Sequence, residues 1–383
     1  MSLPTAEPKA APAARRRGAW TRVAGLAFAA ALVLTGCGGG TAESGGGTDK
    51  ESGKKDKAAA GSAAFPVTIK HAHGSTEITE KPQRVVALSW MSPDVVAALG
   101  VVPVGVDEQW GGDEEGHTPW FRTQVEKLGG KMPEVLKQGD SGELDFEQIL
   151  SLEPDLIVGL YSGLSDVDYE RLGEIAPTLP YLKKPWDGGT WQSMTQTIGK
   201  ALGENEKAEE LVNDVEGQLA AVARDNPEFK DTTFAYGLGL APGSTELGLY
   251  LNYDPRVRLL TEMGFKNTPS MQKIADTAKG TNWYGGVSLE KLDTIEADVF
   301  VAWANGDGEV KHSLKDPLFT RWEPIKAGRY AFVQDPTLGM ATSGPSVLSI
   351  PWAIERYVPM LADAVAGKGV KGVPEKAPAG NGS

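Results

Sequence analysis

The chain has 383 residues, 40% of them hydrophobic and 23% charged, with 38 basic side chains against 51 acidic ones and a formal net charge of −13. That length allows two domains or one large one with real cores, and the acidic balance leaves no basic footprint to neutralise phosphates, which excludes nucleic acid as a partner. The only cysteine, Cys37, rules out an internal disulfide framework and a thiolate zinc cluster.

Residues 1–36 have the grammar of an export signal. Arg15, Arg16, Arg17 and Arg22 form a positive stretch, and Val23 to Leu34 an apolar one that is too short for a typical spanning helix. It ends in Leu34-Thr35-Gly36-Cys37, which resembles the lipobox of bacterial lipoprotein signals. The resemblance implies cleavage before Cys37 and diacylglycerol on its thiol. The arginine run leaves a twin-arginine export route open. Residues 1–36 carry five basic groups and one acidic group, so the chain from Cys37 onward has 33 basic and 50 acidic residues, a balance of −17. Residues 37–64 are rich in Gly, Ser, Ala and charged side chains. They cannot bury enough apolar surface to offset ordering and are expected to be a flexible tether reaching roughly 30 Å.

The folded part starts at Phe65. Val67-Thr68-Ile69 and Glu77-Ile78-Thr79 flank His73-Gly74-Ser75, a predicted hairpin. Arg84 to Leu88 is a buried-strand run, Ser92-Pro93-Asp94 opens a helix that stops at Gly100, and Val101 to Val106 is the next strand. Helices are expected over Leu144–Ser151 and Tyr169–Ile175, and strands over Asp155–Gly159 and Thr178–Leu182. Trp191 to Ala223 has helical spacing of apolar residues, with a kink expected at Gly203-Glu204-Asn205. The strand–helix alternation then restarts. Strands are expected at Phe234–Leu240, Asp298–Ala302 and Tyr330–Val333, and helices at Arg256–Gly264, Leu289–Ile295 and Ser346–Ala366, the last bent by Pro351 and Pro359. The fold class is therefore α/β, with two Rossmann-like lobes of parallel sheet joined by a single long helix. The predicted bounds are a signal at 1–36, a tether at 37–64, lobes at 65–188 and 227–370, a linking helix at 189–226 and a disordered tail at 371–383. A helical link predicts lobes that move little.

The halves share a phrase. Leu144-Asp145-Phe146-Glu147-Gln148-Ile149 precedes Glu153-Pro154-Asp155-Leu156-Ile157-Val158, and Val287-Ser288-Leu289-Glu290-Lys291-Leu292 precedes Glu296-Ala297-Asp298-Val299-Phe300-Val301. With Lys81 to Leu88, Ala97 to Val106, and Ile198 to Gly203 followed by Lys207-Ala208, these phrases resemble the iron-siderophore and cobalamin class of substrate-binding lipoproteins of ABC importers. The resemblance runs from about Phe65 to Lys368. It implies the class III periplasmic-binding-protein fold, a cleft between the lobes, delivery of ligand to an ABC permease, and Glu147 and Glu290 as the permease-docking residues of the two lobes. The chain is then expected on the extracytoplasmic face of the cell membrane, held there only by its lipid, as a monomer.

Ligands of open parallel sheets sit beyond the carboxyl ends of the strands. Trp90, Trp110, Tyr161 and Trp303 follow predicted strands, Trp283 and Tyr284 lie in a Gly-flanked loop, and Trp186 precedes the linking segment. As cleft residues they suit a bulky, rigid, partly apolar ligand, such as an Fe(III)-siderophore whose chelator fills the metal's coordination sphere. A hydroxamate such as ferrioxamine is favoured by the acidic balance; a catecholate would call on Arg256, Arg258, Arg321 or Arg329. Cobalamin and heme remain alternatives. His71 and His73 sit in the hairpin, and His117 and His312 have no second ligand nearby, so no direct metal site is expected. No convergent acid/base pair supports the remaining alternative, an anchored α/β enzyme.

Overall fold

Val85, Val86 and Ala87 lose all contact with solvent, which a strand can do only inside a sheet covered on both faces. That strand centres the first lobe. The computed structural model describes residues 65–137, 142–187, 189–277 and 283–372, all within one compact unit. The export signal, Cys37 and the tether lie outside the described residues, as does the tail beyond 372.

In chain order the first lobe comprises β1 (Val67–His71), β2 (Gly74–Ile78), β3 (Val85–Ala87), α1 (Ser92–Ala98), β4 (Gly105–Asp107), α2 (Pro119–Lys127), β5 (Glu134–Leu136), α3 (Phe146–Ser151), β6 (Leu156–Val158), α4 (Asp166–Gly173) and β7 (Thr178–Leu179). The hairpin β1–β2 forms as expected. The other five strands form one parallel sheet in the order β5-β4-β3-β6-β7. The chain leaves β3 toward β4 and leaves β6 toward β7, so a crevice opens at the carboxyl ends of β3 and β6.

The rest comprises α5 (Trp191–Leu202), α6 (Asn205–Asp225), β8 (Thr233–Leu238), β9 (Glu246–Tyr250), α7 (Pro255–Glu262), β10 (Lys266–Asn267), α8 (Ser270–Thr277), β11 (Tyr284–Ser288), a 3-10 helix Leu289–Thr294, β12 (Val299–Trp303), α9 (Asp307–Ser313), α10 (Glu323–Lys326), β13 (Tyr330–Val333), α11 (Pro336–Ser343), α12 (Ser349–Val365) and β14 (Val370–Lys371). Strands β10, β8, β12, β13 and β14 are parallel, but β9 runs antiparallel to both β8 and β11. The second sheet is thus mixed rather than purely parallel. Val370 and Lys371 pair with β13, so residue 371 does not belong to the tail expected from there.

The single linking helix is a correction. Gly203 takes a left-handed φ of 71° and caps α5, a conformation that glycine adopts without a Cβ penalty. The chain reverses there, and α6 packs back on α5. Gly199 permits the approach, since a Cβ on it would lie 2.4 Å from that of Ala208. Helix α5 packs on α1 and β1, and α6 on α7 and α12, so the link is a helical hairpin with one arm against each lobe. Pro351 falls in the first turn of α12 and only Pro359 lies inside it.

The repeated phrase has one structural meaning in both lobes. Asp155 accepts the N–H of Gln83 at 2.7 Å and of Arg84 at 2.9 Å, while its own N–H donates to Arg84 O. Asp298 accepts the N–H of Thr233 at 2.8 Å and its hydroxyl at 2.6 Å, while its own N–H donates to Thr233 O. Each aspartate ties the amino end of its strand to the neighbouring central strand. Asp298→Ala is expected to cost about 2 kcal/mol in urea unfolding, because it strands two donors on Thr233; Asp298→Asn, which keeps an acceptor, is expected to cost less.

Candidate ligand-binding cleft

The aromatic residues at the strand ends converge. Trp90 follows β3 and lies 6.2 Å from both Trp110, beyond β4, and Tyr161, beyond β6. Tyr161 meets Trp186 edge-on at 5.9 Å. Trp303, the last residue of β12, meets Trp110 edge-on at 4.8 Å. That contact crosses between lobes, so the carboxyl ends of the two sheets face each other.

Below the indoles lies α11. A Cβ on Gly339 would fall 2.6 Å from the Trp303 ring and 2.8 Å from the Trp110 ring, so only glycine lets both rings rest there. The Thr337 hydroxyl donates to Gly111 O across the lobes at 2.7 Å.

A cavity of about 600 Å³ opens beside this cluster, within the range of small-molecule sites. Trp90, Trp110 and Trp186 line it, with Ser89 and Ser162 as hydroxyls and Asp107, Glu108, Glu143 and Asp168 as carboxyls. Three non-glycine residues among those described have a left-handed backbone, and two of them, Ser89 (φ 73°) and Trp186 (φ 59°), are in this wall. Such strain persists where surrounding structure holds it. Ser89 N–H donates to Asp107 Oδ2 at 2.7 Å, and Trp186 N–H to Ser162 O at 2.9 Å. Trp186 is 45% exposed.

Two residues stand apart. Trp283 stacks on Tyr250 at 5.3 Å, and Tyr284 meets Trp283 at 4.9 Å, but neither ring touches Trp90, Trp110, Tyr161, Trp186 or Trp303 among the described residues. Tyr284 is also not in a loop; it opens β11, paired with Tyr250. Beside them lies a feature that composition did not reveal. Arg256 donates from Nε to Asp254 Oδ1 at 2.8 Å and from Nη2 to Oδ2 at 2.7 Å, with its guanidinium 3.7 Å over the Tyr250 ring. Arg258 instead donates to Gly189 O, and Arg321 and Arg329 are exposed elsewhere; the four arginines do not converge. Among the described residues no cluster of His, Cys, Asp and Glu could hold a metal ion, and no helix is long and apolar enough to cross a membrane.

The lobes join through buried polar contacts behind the cleft. Asp94 Oδ2 accepts the Trp120 indole N–H at 2.7 Å and the Ser346 hydroxyl at 2.6 Å. Ser346 Oγ in turn accepts the N–H groups of Leu348 and Ser349 at the start of α12. Burial pushes the Asp94 carboxyl up to about 7, against the lowering effect of these two donors. Glu262 accepts from Trp191 Nε1 at 2.8 Å and from Gln192 Nε2 at 3.3 Å, and burial raises it too. Glu147 and Glu290 are both exposed in the first turns of α3 and of the 3-10 helix. Each turn begins beyond the carboxyl end of a strand, on the cleft side of its sheet.

Comparison with known proteins gives a consistent set. A family profile described as "Periplasmic binding protein" matches residues 85–335. A Bacillus subtilis protein named "Probable siderophore-binding lipoprotein YfiY" is 26% identical over 276 residues, covering 70% of this chain and 80% of that protein. The Fe(3+)-citrate-binding protein YfmC of the same organism is 26% identical over 257 residues, covering 67% and 74%. The crystal structure of Streptococcus pneumoniae PiaA in complex with ferrichrome superposes with a TM-score of 0.71 at 30% identity, covering 78% of this chain and 99% of that one.

The Asp94 shift has a definite pH signature. Its folded value of about 7 lies above the ordinary 3.8, so between those values the folded protein keeps a proton that the unfolded chain has lost. Its stabilising contribution is full below about 3.8 and is lost as pH rises through 7. Urea unfolding from pH 4 to 8 is expected to show wild type losing stability relative to Asp94→Asn across that window. Parallel curves would mean the carboxyl titrates normally.

Proposed function

We propose, from the premise that the chain belongs to the periplasmic binding protein family, that it is the substrate-binding protein of an ABC importer and carries a ferric siderophore, of hydroxamate type, to its permease. The observation that carries this reading is the indole-walled cavity at the carboxyl ends of the strands. A saturated ferric chelate needs aromatic walls and a few hydrogen bonds, not protein ligands to iron. The names of the similar proteins, which cite a siderophore, Fe(3+)-citrate and ferrichrome, support it. The hydroxamate shell is favoured over polyanionic catecholate or citrate because the Arg256 guanidinium is already engaged by Asp254 and so offers little to an anion. The family role is binding for transport, not catalysis.

Cys37 is read as the lipid attachment point, supported by the arginine and apolar runs before it and by the word lipoprotein in a relative's name. The anchor and tether would keep the binding unit on the extracytoplasmic face of the membrane, within reach of the permease. Glu147 and Glu290 are read as its docking contacts, because equivalent exposed carboxylates on both lobes fix orientation and speed encounter more than they add affinity.

Titration with ferrichrome and ferrioxamine, read by tryptophan quenching, is expected to show saturable binding. Quenching by cobalamin or heme alone would sink the siderophore reading. Trp90→Ala combined with Trp110→Ala is expected to weaken binding roughly 10- to 100-fold through lost stacking area, and also to lower unfolding stability, because both rings pack against the core. Charge reversal at Glu147 and Glu290 is expected to abolish uptake with affinity unchanged; a large fall in affinity would exclude docking as their role.

A further inference from the structure

We propose that Asp113, which stands outside the cavity, is the positioning residue that holds Trp110 in the cleft wall. The inference rests on the siderophore reading, in which Trp110 is a stacking ring, and deepens it. The loop that connects β4 to α2 carries both residues and folds back on itself. Gln109 N–H donates to Gly116 O at 2.9 Å, Gly112 N–H to Gln109 O at 2.9 Å, and Asp113 N–H to His117 O at 2.9 Å.

The Asp113 carboxylate ties this loop together. Its Oδ1 accepts the N–H of Glu115 at 3.0 Å and of His117 at 3.1 Å. Its Oδ2 accepts Nε of Arg122 at 2.8 Å and Nη2 at 2.5 Å. Arg122 belongs to α2, and its Nη2 also donates to Glu115 Oε2 at 2.8 Å. Exposed ion pairs usually contribute little. Here the two oxygens take two backbone donors and one arginine fork, so the carboxylate joins the helix to the backbone of the loop. Burial would raise the carboxyl, but His117, Arg122 and Glu115 outweigh it and hold the group below the ordinary carboxylate range.

What the tied loop presents is Trp110 and Gly111. The Trp110 indole reaches Trp90 at 6.2 Å and Trp303 of the second lobe at 4.8 Å. Gly111 has a left-handed φ of 77°, and a Cβ on it would lie 2.2 Å from Pro336 O. The ring therefore stands between the lobes on a stretch that contains two successive glycines, Gly111 and Gly112. Such a stretch has much freedom to lose, and whatever the free protein keeps is lost on binding. The carboxylate removes that freedom before cargo arrives. Neither Asp113, Glu115 nor Arg122 lines the cavity, so their effect on cargo passes through the loop.

The test asks whether Asp113 acts through Trp110. Dissociation constants of the full chain for ferrichrome and ferrioxamine are measured by calorimetry in wild type, Asp113→Ala, Trp110→Ala and the double variant. Asp113→Ala is expected to weaken binding roughly ten-fold in wild type, and about two-fold at most once Trp110 is gone. An equal loss in both backgrounds would mark a general structural role, and no loss in either would show that the loop needs no carboxylate; both outcomes overturn the proposal. Arg122→Gln leaves Oδ1 and its two backbone donors in place. It is expected to give a smaller loss with the same dependence on Trp110, which keeps the test decisive if Asp113→Ala does not fold. Near-UV circular dichroism of the free protein gives a readout without cargo. The part of the signal that Trp110→Ala removes is expected to fall in Asp113→Ala, with Asp113→Asn, which keeps the Oδ1 acceptor, in between. An unchanged signal in Asp113→Ala would also overturn the proposal. If wild type binds neither chelate, the siderophore reading fails, and the dichroism alone still decides whether Asp113 positions Trp110.

Discussion

The carboxylate of Asp94 is the point through which the two lobes are held. It is 3% exposed, and one of its oxygens receives a donor from each side, Trp120 from the first lobe and Ser346 from the start of α12 in the second. Removing a carboxylate from water is costly, and near neutral pH the group sits at the balance point between its charged and neutral forms. What it supplies is direction. Apolar surfaces slide past each other, but a buried acceptor with two donors fixes a register. Glu262 repeats the device with Trp191 and Gln192, and Trp120 of α2 packs against Trp352 of α12 at 5.1 Å. Held this way, α11 lies under the cleft and the Trp110 and Trp303 rings meet.

The binding surface follows from topology before it follows from any particular side chain. Parallel strands deliver their carboxyl ends to one edge, and the reversal of winding at β3 and β6 leaves a crevice there. Aromatic residues one to three positions past a strand fall into that crevice. The strain at Ser89 and Trp186 shows the backbone bent to serve the wall rather than the sheet. The result is a preorganised surface, with rings stacked on one another and on α11, and little side-chain freedom left to lose on binding.

Much of this was legible in the sequence because it rests on short-range pattern. Continuous apolar runs marked β3, β6, β12 and β13, and the position of each tryptophan just after such a run placed Trp90, Trp110 and Trp303 at one edge. Other features depend on contacts that pattern does not encode. Strands β9 and β11 are interrupted by Gly248, Gly285 and Gly286, and so lack the continuous run of a buried strand, although they pair over five residues. Gly203 was visible as a kink, but whether the chain bends or reverses there depends on Ala208 of α6 seating against Gly199 of α5. Arg256 was visible as one of four arginines; its engagement by Asp254, two residues earlier in the chain, is a matter of rotamer and burial. Asp94 looked like an ordinary helix-start acid, and nothing local to it points to Ser346, 252 residues away.

The aspartates that begin β6 and β12 divide labour along single strands. Asp155 and Asp298 make their ties at the amino ends, while Tyr161 and Trp303 stand past or at the opposite ends, in the ring cluster of the cleft. Each strand therefore separates the tie that keeps the lobe intact from the cleft end by its whole length. A substitution in the recognising end leaves the tie untouched, and the two lobes carry separate copies of the arrangement. One half of the cleft surface can then change at a time on an unchanged frame.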